Sequence, residues 1–364
     1  MPLASVTSID GESLLARLGD ADLYLLDVRE PDEVEAWRIP GAHNIPLGSL
    51  AARVEELPRD KDLVVVCAVG ARAHQGAELL AARGLSSRVL EGGMGTWAST
   101  YDLASGNFGG ATVVQLRRRG KGCLSYVVGA GTKAVVIDPS RDVHRYMDVA
   151  NEQGWTITHV LDTHLHADHL SGARELTAAT GAVLCLNPAD PFGFDFEPLS
   201  DGKTIELAPG IDLAVSSVSV PGHTEGSTMY QIADQAIFTG DTLFLESVGR
   251  PDLADEAEGY AHQLFHSLHE RVLPLGDEIT VFPAHFGQGV EVRSGEFVAR
   301  PLGSLRGTLP ALKLTESEFV EWAVANVTDR PGNYRQIVQI NAGLAPLNDD
   351  ATALEAGPNR CAIA

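Results

Sequence analysis

A strand-like apolar run, ITHVLD at 157–162, passes directly into THLHADH at 163–169, so that three of the chain's 12 histidines and an aspartate fall within one short loop. In extended backbone alternate residues share a side, which puts His164 with His166. Other apolar runs end the same way, in PGHTEGS with His223, FTGDTLF with Asp241 and FPAHFG with His285. Sheets that alternate with helices present their ligands at the carboxyl ends of strands. Imidazole and carboxylate groups at successive strand ends therefore predict a fold in which those ends converge on one metal-binding centre.

A chain of 364 residues has room for two cores. Its 44% hydrophobic and 21% charged content is that of a globular protein without low-complexity tracts. Asp and Glu outnumber Lys and Arg 49 to 27, and the net charge of -22 argues against nucleic acid or an anionic membrane surface as the main partner. The opening MPLASVTSID lacks the basic and apolar stretches of a signal peptide, and nowhere do about 18 apolar residues run together, so a cytoplasmic location without membrane contact is expected. Four scattered cysteines do not form a disulfide framework. Cys123 and Cys185 lie in strand-like runs and read as core, while Cys361 in the tail NRCAIA reads as exposed.

Two regions differ in pattern. DLYLLDV, DLVVVC and SRVL are short apolar runs separated by helical stretches such as ARAHQGAELLAARG, which predicts a small parallel α/β domain over 1–105. TYDLASGNFGGA at 100–111 is rich in Gly, Ser and Asn and reads as the linker. Over 106–364 strand-like runs follow closely (TVVQLRR, CLSYVVG, KAVVIDP, then STMYQIAD and QAIFTGD) with helices at DVHRYMDVANEQG, HADHLSGARELTAATG and GYAHQLFHSLHERVL. That order predicts a layered α/β sandwich. His262, His266 and His269, in the last of those helices, read as a solvated face.

In the first region CAVGAR at 67–72 follows an apolar strand and opens a helix. Backbone N–H groups at a helix start, together with Arg72, favour the thiolate, which makes Cys67 a candidate nucleophile; a buried cysteine at a strand end is the alternative.

LLDVREPDEVEAWRIPGAHNIP, CAVGARA and LEGGMGTW resemble the rhodanese domain over about residues 5–105. The resemblance implies that Cys67 carries a persulfide in a CxxGxR loop with Arg72, and that Asp27 and Arg29 support it. Many thiosulfate-using rhodaneses have a basic residue after the cysteine, where this chain has Ala68, so attraction for dianionic thiosulfate should be weaker.

His164, His166, Asp168 and His169 match in full the HxHxDH motif of the metallo-β-lactamase superfamily, and His223, Asp241 and His285 follow in its order over about residues 112–290. The implied fold is a rhodanese-like parallel α/β domain followed by a metallo-β-lactamase αββα sandwich. THLHADHLSG, VPGHTEGS, FTGDTLFLESVGRPDL and FPAH look most like the persulfide dioxygenases, and RPGNYRQIVQINAG resembles the C-terminal extension of bacterial members that carry rhodanese domains. The resemblance implies one Fe(II) per chain on His164, His223 and Asp241. His166, Asp168, His169 and His285 then orient the ligands, or hold a second metal such as zinc in the alternative, a glyoxalase II-like dinuclear thioester hydrolase. Against that alternative stands GRPDL at 249–253, where the hydrolases typically have an aromatic and acidic run. Arg250 is implied at the wall that holds the carboxylate of a glutathione-like substrate.

The expected activity is oxidation of a low-molecular-weight thiol persulfide by O2 to sulfite and thiol, with Cys67 passing sulfane sulfur to or from small acceptors such as sulfite, which gives thiosulfate. A homo-oligomer is expected, as is common among related enzymes. A non-catalytic persulfide sensor is a third reading, which the full set of candidate iron ligands and the cysteine loop disfavour.

Overall fold

A computed structural model describes residues 4–363 apart from 209–210, 254–255, 288, 328–329, 331 and 349; of 211–217 only the backbone is described. Residues cluster into two compact units. One comprises 1–102 with 118–121 and 355–358, and the other the remainder.

In the first unit five parallel strands lie in the order Val6–Ile9, Ser87–Leu90, Asp62–Val66, Leu23–Asp27, His43–Asn44. The inner strand DLVVV is apolar without alternation because helices cover both faces of such a sheet. Helix Ala71–Ala82 buries Ala73, Gly76, Ala77 and Leu80, the spacing of one helical face. The strands and helix expected in this region are all present.

The second unit contains two sheets. The first has seven strands in the order Glu197–Pro198, Val183–Leu186, Thr156–Leu161, Lys133–Ile137, Cys123–Ala130, Ala111–Arg118, Tyr101–Phe108. The other has six, Thr204–Ala208, Ile211–Ser219, Thr228–Ile232, Ala236–Gly240, Thr280–Pro283, Arg300–Pro301. One apolar core joins them, with Val113, Tyr126 and Val135 from the first and Tyr230, Phe238 and Phe282 from the second. The Tyr126 ring lies 4.8 Å from Phe238 and 5.6 Å from Phe282. Helices His144–Gln153 and Ala173–Thr180 cover the seven-stranded sheet, while Ala257–His266 and Glu316–Ala325 pack on each other and bury Leu264 and Phe319 in the core shared with the six-stranded sheet. This is the expected αββα sandwich.

Two expectations change. Residues 100–111 are not a linker: Tyr101–Phe108 is the edge strand of the seven-stranded sheet and turns through Gly109 and Gly110, with φ of 57° and 89°. Its small polar residues suit a half-exposed edge, which makes its composition look like that of a loop. The helix after THLHADH begins only at Ala173, so residues 163–172 are free to form the ligand loop. Strand register brings the functional ends together, with Leu161 beside Ile137 and Cys185, and Gly240 beside Pro283.

Candidate metal centre and cysteine loop

His164 follows strand Thr156–Leu161, His223 lies in the turn after Ile211–Ser219, and Asp241 follows Ala236–Gly240. All three are buried, and their ligand atoms lie within 4.8 Å of one another. His164 Nε2 is 3.5 Å and His223 Nε2 is 3.3 Å from Asp241 Oδ2. Among the described residues none of these three atoms has a hydrogen-bond partner, although burying a polar atom unpaired is costly.

The far side of each group is anchored. His164 Nδ1 lies 2.9 Å from the Thr163 hydroxyl, which itself donates to Asp138 Oδ2 at 2.9 Å. Since that hydroxyl proton is spent on Asp138, His164 Nδ1 must donate, and the lone pair is left on Nε2. His223 Nδ1 donates to the Arg250 carbonyl at 3.0 Å, and His285 Nδ1 donates to Asp241 Oδ1 at 2.6 Å. Burial pushes His164 and His223 below the usual histidine pKa, and although burial opposes it, His285 and His164 hold Asp241 below the carboxylate range. Two neutral imidazoles and one carboxylate, turned toward each other with unshared lone pairs, are a metal-ready face.

Asp138 pays for its place with a φ of 53°, unusual for a residue that carries a side chain. Its carboxylate accepts the Thr163 N–H at 2.6 Å and faces His166 Nε2 at 3.2 Å.

Cys123, Asp168, His169 and His285 form a neighbouring group of four. Asp168 Oδ1 meets His169 Nδ1 at 2.9 Å, and Asp168 Oδ2 meets Cys123 Sγ at 3.6 Å and His285 Nε2 at 3.0 Å. Burial opposes ionisation throughout, yet Cys123 and Asp168 raise His169 to about 10, and His169 and His285 bring Cys123 down to about 7. This cluster balances its own charge and also carries the donor set of a second metal.

Asn341 in helix Tyr334–Asn341 donates to the carbonyls of His166 and His169 at 2.9 and 2.8 Å and accepts the Ser171 N–H at 3.0 Å. The RPGNYRQIVQINAG segment thus braces the THLHADH loop.

Arg250, implied at the substrate wall, is held by an acidic partner. It is 1% exposed, its guanidinium meets Asp252 at 2.7 and 3.0 Å and the Arg360 carbonyl at 3.0 Å, and its backbone carbonyl reaches His223. A buried guanidinium needs a counter-charge, and GRPDL supplies one two residues on. Cys361 is buried rather than exposed, because the tail pairs with 248–250 and brings the thiol near Asp241 and His285. His262 and His266 lie on the exposed face as expected, near Glu316 at 2.7 and 3.3 Å, beside a 590 Å³ cleft separate from the metal residues. His269 is half-buried against Phe265, at 4.0 Å between rings.

In the first unit Cys67 directly follows strand Asp62–Val66, and its sulfur accepts the Gly70 N–H at 3.1 Å. The Met94 N–H donates to the Cys67 carbonyl at 2.9 Å, and a Cβ at Gly93 would sit 2.1 Å from that oxygen, which explains the glycine in LEGGMGTW. Arg72 turns to Glu33, with both N···O distances 2.7 Å, and this pairing pulls Glu33 down to about 2. Asp27 and Arg29 are structural: the Arg29 guanidinium bonds Asp27 at 2.7 Å and the Trp37 carbonyl at 2.6 Å.

Residues 10–100 match the Rhodanese-like domain and residues 118–285 the Metallo-beta-lactamase superfamily. Fold and site thus define a metallo-β-lactamase-fold metal centre carried with a rhodanese-like domain. The chain is 30% identical over 207 residues to the mitochondrial persulfide dioxygenase ETHE1 of Mus musculus, covering 55% of this chain and 76% of that one. It is 36% identical over 147 residues to the hydroxyacylglutathione hydrolase of Methylobacillus flagellatus, covering 40% of this chain and only 56% of that one. The crystal structure of ETHE1 from Myxococcus xanthus matches with a TM-score of 0.56 at 26% identity, over 64% of this chain and 99% of that one. The chain belongs to the persulfide dioxygenase family.

Proposed function

We propose that the second unit oxidises the persulfide of a low-molecular-weight thiol, such as glutathione persulfide, with O2. The balanced reaction is RSS⁻ + O2 + H2O → RSH + SO3²⁻ + H⁺, in which the two sulfurs lose four electrons and O2 gains them. The observation that carries this reading is the set of three orphaned atoms, His164 Nε2, His223 Nε2 and Asp241 Oδ2. Two imidazoles and one carboxylate are the ligand set of mononuclear non-haem Fe(II), which when bound would supply the redox chemistry and leave room for a sulfur anion and O2 together. Thr163 with Asp138, the Arg250 carbonyl and His285 keep those atoms aimed and deprotonated.

For the first unit we propose sulfane-sulfur transfer through a persulfide on Cys67, Cys67–S–S⁻ + SO3²⁻ → Cys67–S⁻ + S2O3²⁻, or its reverse. One unit's product is then the other's reactant. With Arg72 engaged by Glu33 and Ala68 beside the thiol, the loop offers thiosulfate little uncompensated positive charge.

The second reading is a dinuclear thioester hydrolase, favoured by the Cys123, Asp168, His169 and His285 cluster and by the likeness to hydroxyacylglutathione hydrolase. Metal analysis of anaerobically purified protein, paired with O2 uptake on a panel of persulfides, separates the two. One iron per chain with persulfide-dependent O2 uptake supports the first, and two metals with thioester cleavage and no uptake overturns it.

A further inference from the structure

Beyond the anchored ligands, one buried carboxylate touches both loops from which His164 and His223 project. Asp190 lies past the end of strand Val183–Leu186 and is 5% exposed. Its Oδ2 accepts the Leu165 N–H at 2.8 Å and the Thr224 hydroxyl at 3.1 Å, and its Oδ1 accepts the Gly226 N–H at 2.9 Å. Leu165 is the residue between His164 and His166, and Thr224 follows His223 directly. A Cβ at Gly226 would stand 2.5 Å from the Asp190 carboxyl carbon, so the glycine of PGHTEGS lets the loop close onto this group.

We infer that Asp190 is a positioning residue for the metal triad, setting the separation of His164 and His223 by holding their loops on the two oxygens of one carboxylate. This rests on the metal-centre reading above. The two loops come from different sheets, and between them the described residues add one direct backbone bond, from the Thr228 N–H to the Thr163 carbonyl at 2.7 Å. Buried backbone N–H groups require acceptors, and a carboxylate serves both loops where an amide cannot. Asn at this position would turn its NH2 toward one of the two N–H donors and release that loop.

The test is Co²⁺ titration of the metal-free full-length chain, followed by visible absorption, for wild type, Asp190→Asn and Gly226→Ala. Thermal unfolding of the metal-free forms is recorded in parallel. Loss of a group that orients metal ligands weakens affinity by about 10- to 100-fold, and Asp190→Asn is expected to do so with an altered Co²⁺ absorption envelope. Gly226→Ala, which presses on the same carboxylate from the His223 side, is expected to act in the same direction, and it carries the test if Asp190→Asn does not fold. A merely structural role would lower the metal-free midpoint and leave the spectrum of the loaded form as in wild type. Wild-type affinity and spectrum in the variants overturn the Asp190 inference alone; failure of wild type to take up Co²⁺ overturns the metal-centre reading itself.

Discussion

His285 donates from Nδ1 to Asp241 Oδ1 at 2.6 Å, while Oδ2 of the same carboxylate faces His164 and His223. One oxygen of Asp241 is therefore fixed by a side chain and the other is left for an ion. Replacing His285 with Phe should free the carboxylate to rotate and lower iron affinity about 10- to 100-fold. Iron per chain after anaerobic purification checks this. Unchanged iron content would show that the hydrogen bond does not set the ligand.

The two activities should separate cleanly by mutation. His223→Ala is expected to abolish persulfide-dependent O2 uptake and leave sulfur transfer to sulfite or cyanide intact. Cys67→Ser is expected to do the reverse. Loss of both activities in either variant, with the protein still folded, would contradict two independent sites.

Arg250→Met should act on stability before it acts on substrate. Removing one partner of a buried ion pair costs on the order of 3 kcal/mol, reduced to the extent that Arg330, at 3.0 Å from Asp252, compensates. Urea unfolding measures the loss. A variant of wild-type stability with only a raised KM would assign Arg250 to the substrate wall instead.

The Arg72–Glu33 pair gives a pH signature. Glu33 has a folded pKa of about 2 against an ordinary 4.5, so its contribution is present above 4.5 and is lost as pH falls toward 2. Both side chains are a third exposed, at 33% and 34%, which limits the pair to about 1 kcal/mol or less. Glu33→Gln should be slightly less stable than wild type at pH 7, with the gap closing between pH 4.5 and 2. A gap that does not change with pH would assign the effect to packing instead.

Gly93→Ala should disturb the cysteine loop. The residue has φ of 58°, and the added methyl would meet the Cys67 carbonyl. Left-handed strain alone costs about 1 kcal/mol or more. A lower unfolding midpoint together with slower sulfur transfer is the expected result.

Local pattern carried much of this architecture. The runs DLVVVC and ITHVLD are strands because their apolar residues have no polar alternative, and HxHxDH is legible because its donors are close in sequence. Partners set by tertiary folding were not legible. Nothing in NRCAIA reveals that Cys361 returns beside Asp241, since the pairing of the tail with 248–250 exists only once the sheets have formed. The pairing of Arg250 with Asp252 was not legible because pairing two residues apart depends on the local turn. Glu33, Asn341 and Asp190 were not legible because each acts on a loop far from it in sequence. The edge strand Tyr101–Phe108 was hidden by Gly, Ser and Asn, which an edge tolerates and an interior strand does not.

His164 hangs from the seven-stranded sheet, whereas His223 and Asp241 hang from the six-stranded one. An ion held by all three would be a rivet through the seam of the sandwich, and its binding energy would become cohesion between the layers. At a free concentration 100 times its dissociation constant, such an ion adds about 2.7 kcal/mol to unfolding. Starvation for metal would then loosen the layers themselves, and the cell's proteases could distinguish an idle copy from a working one by its softness.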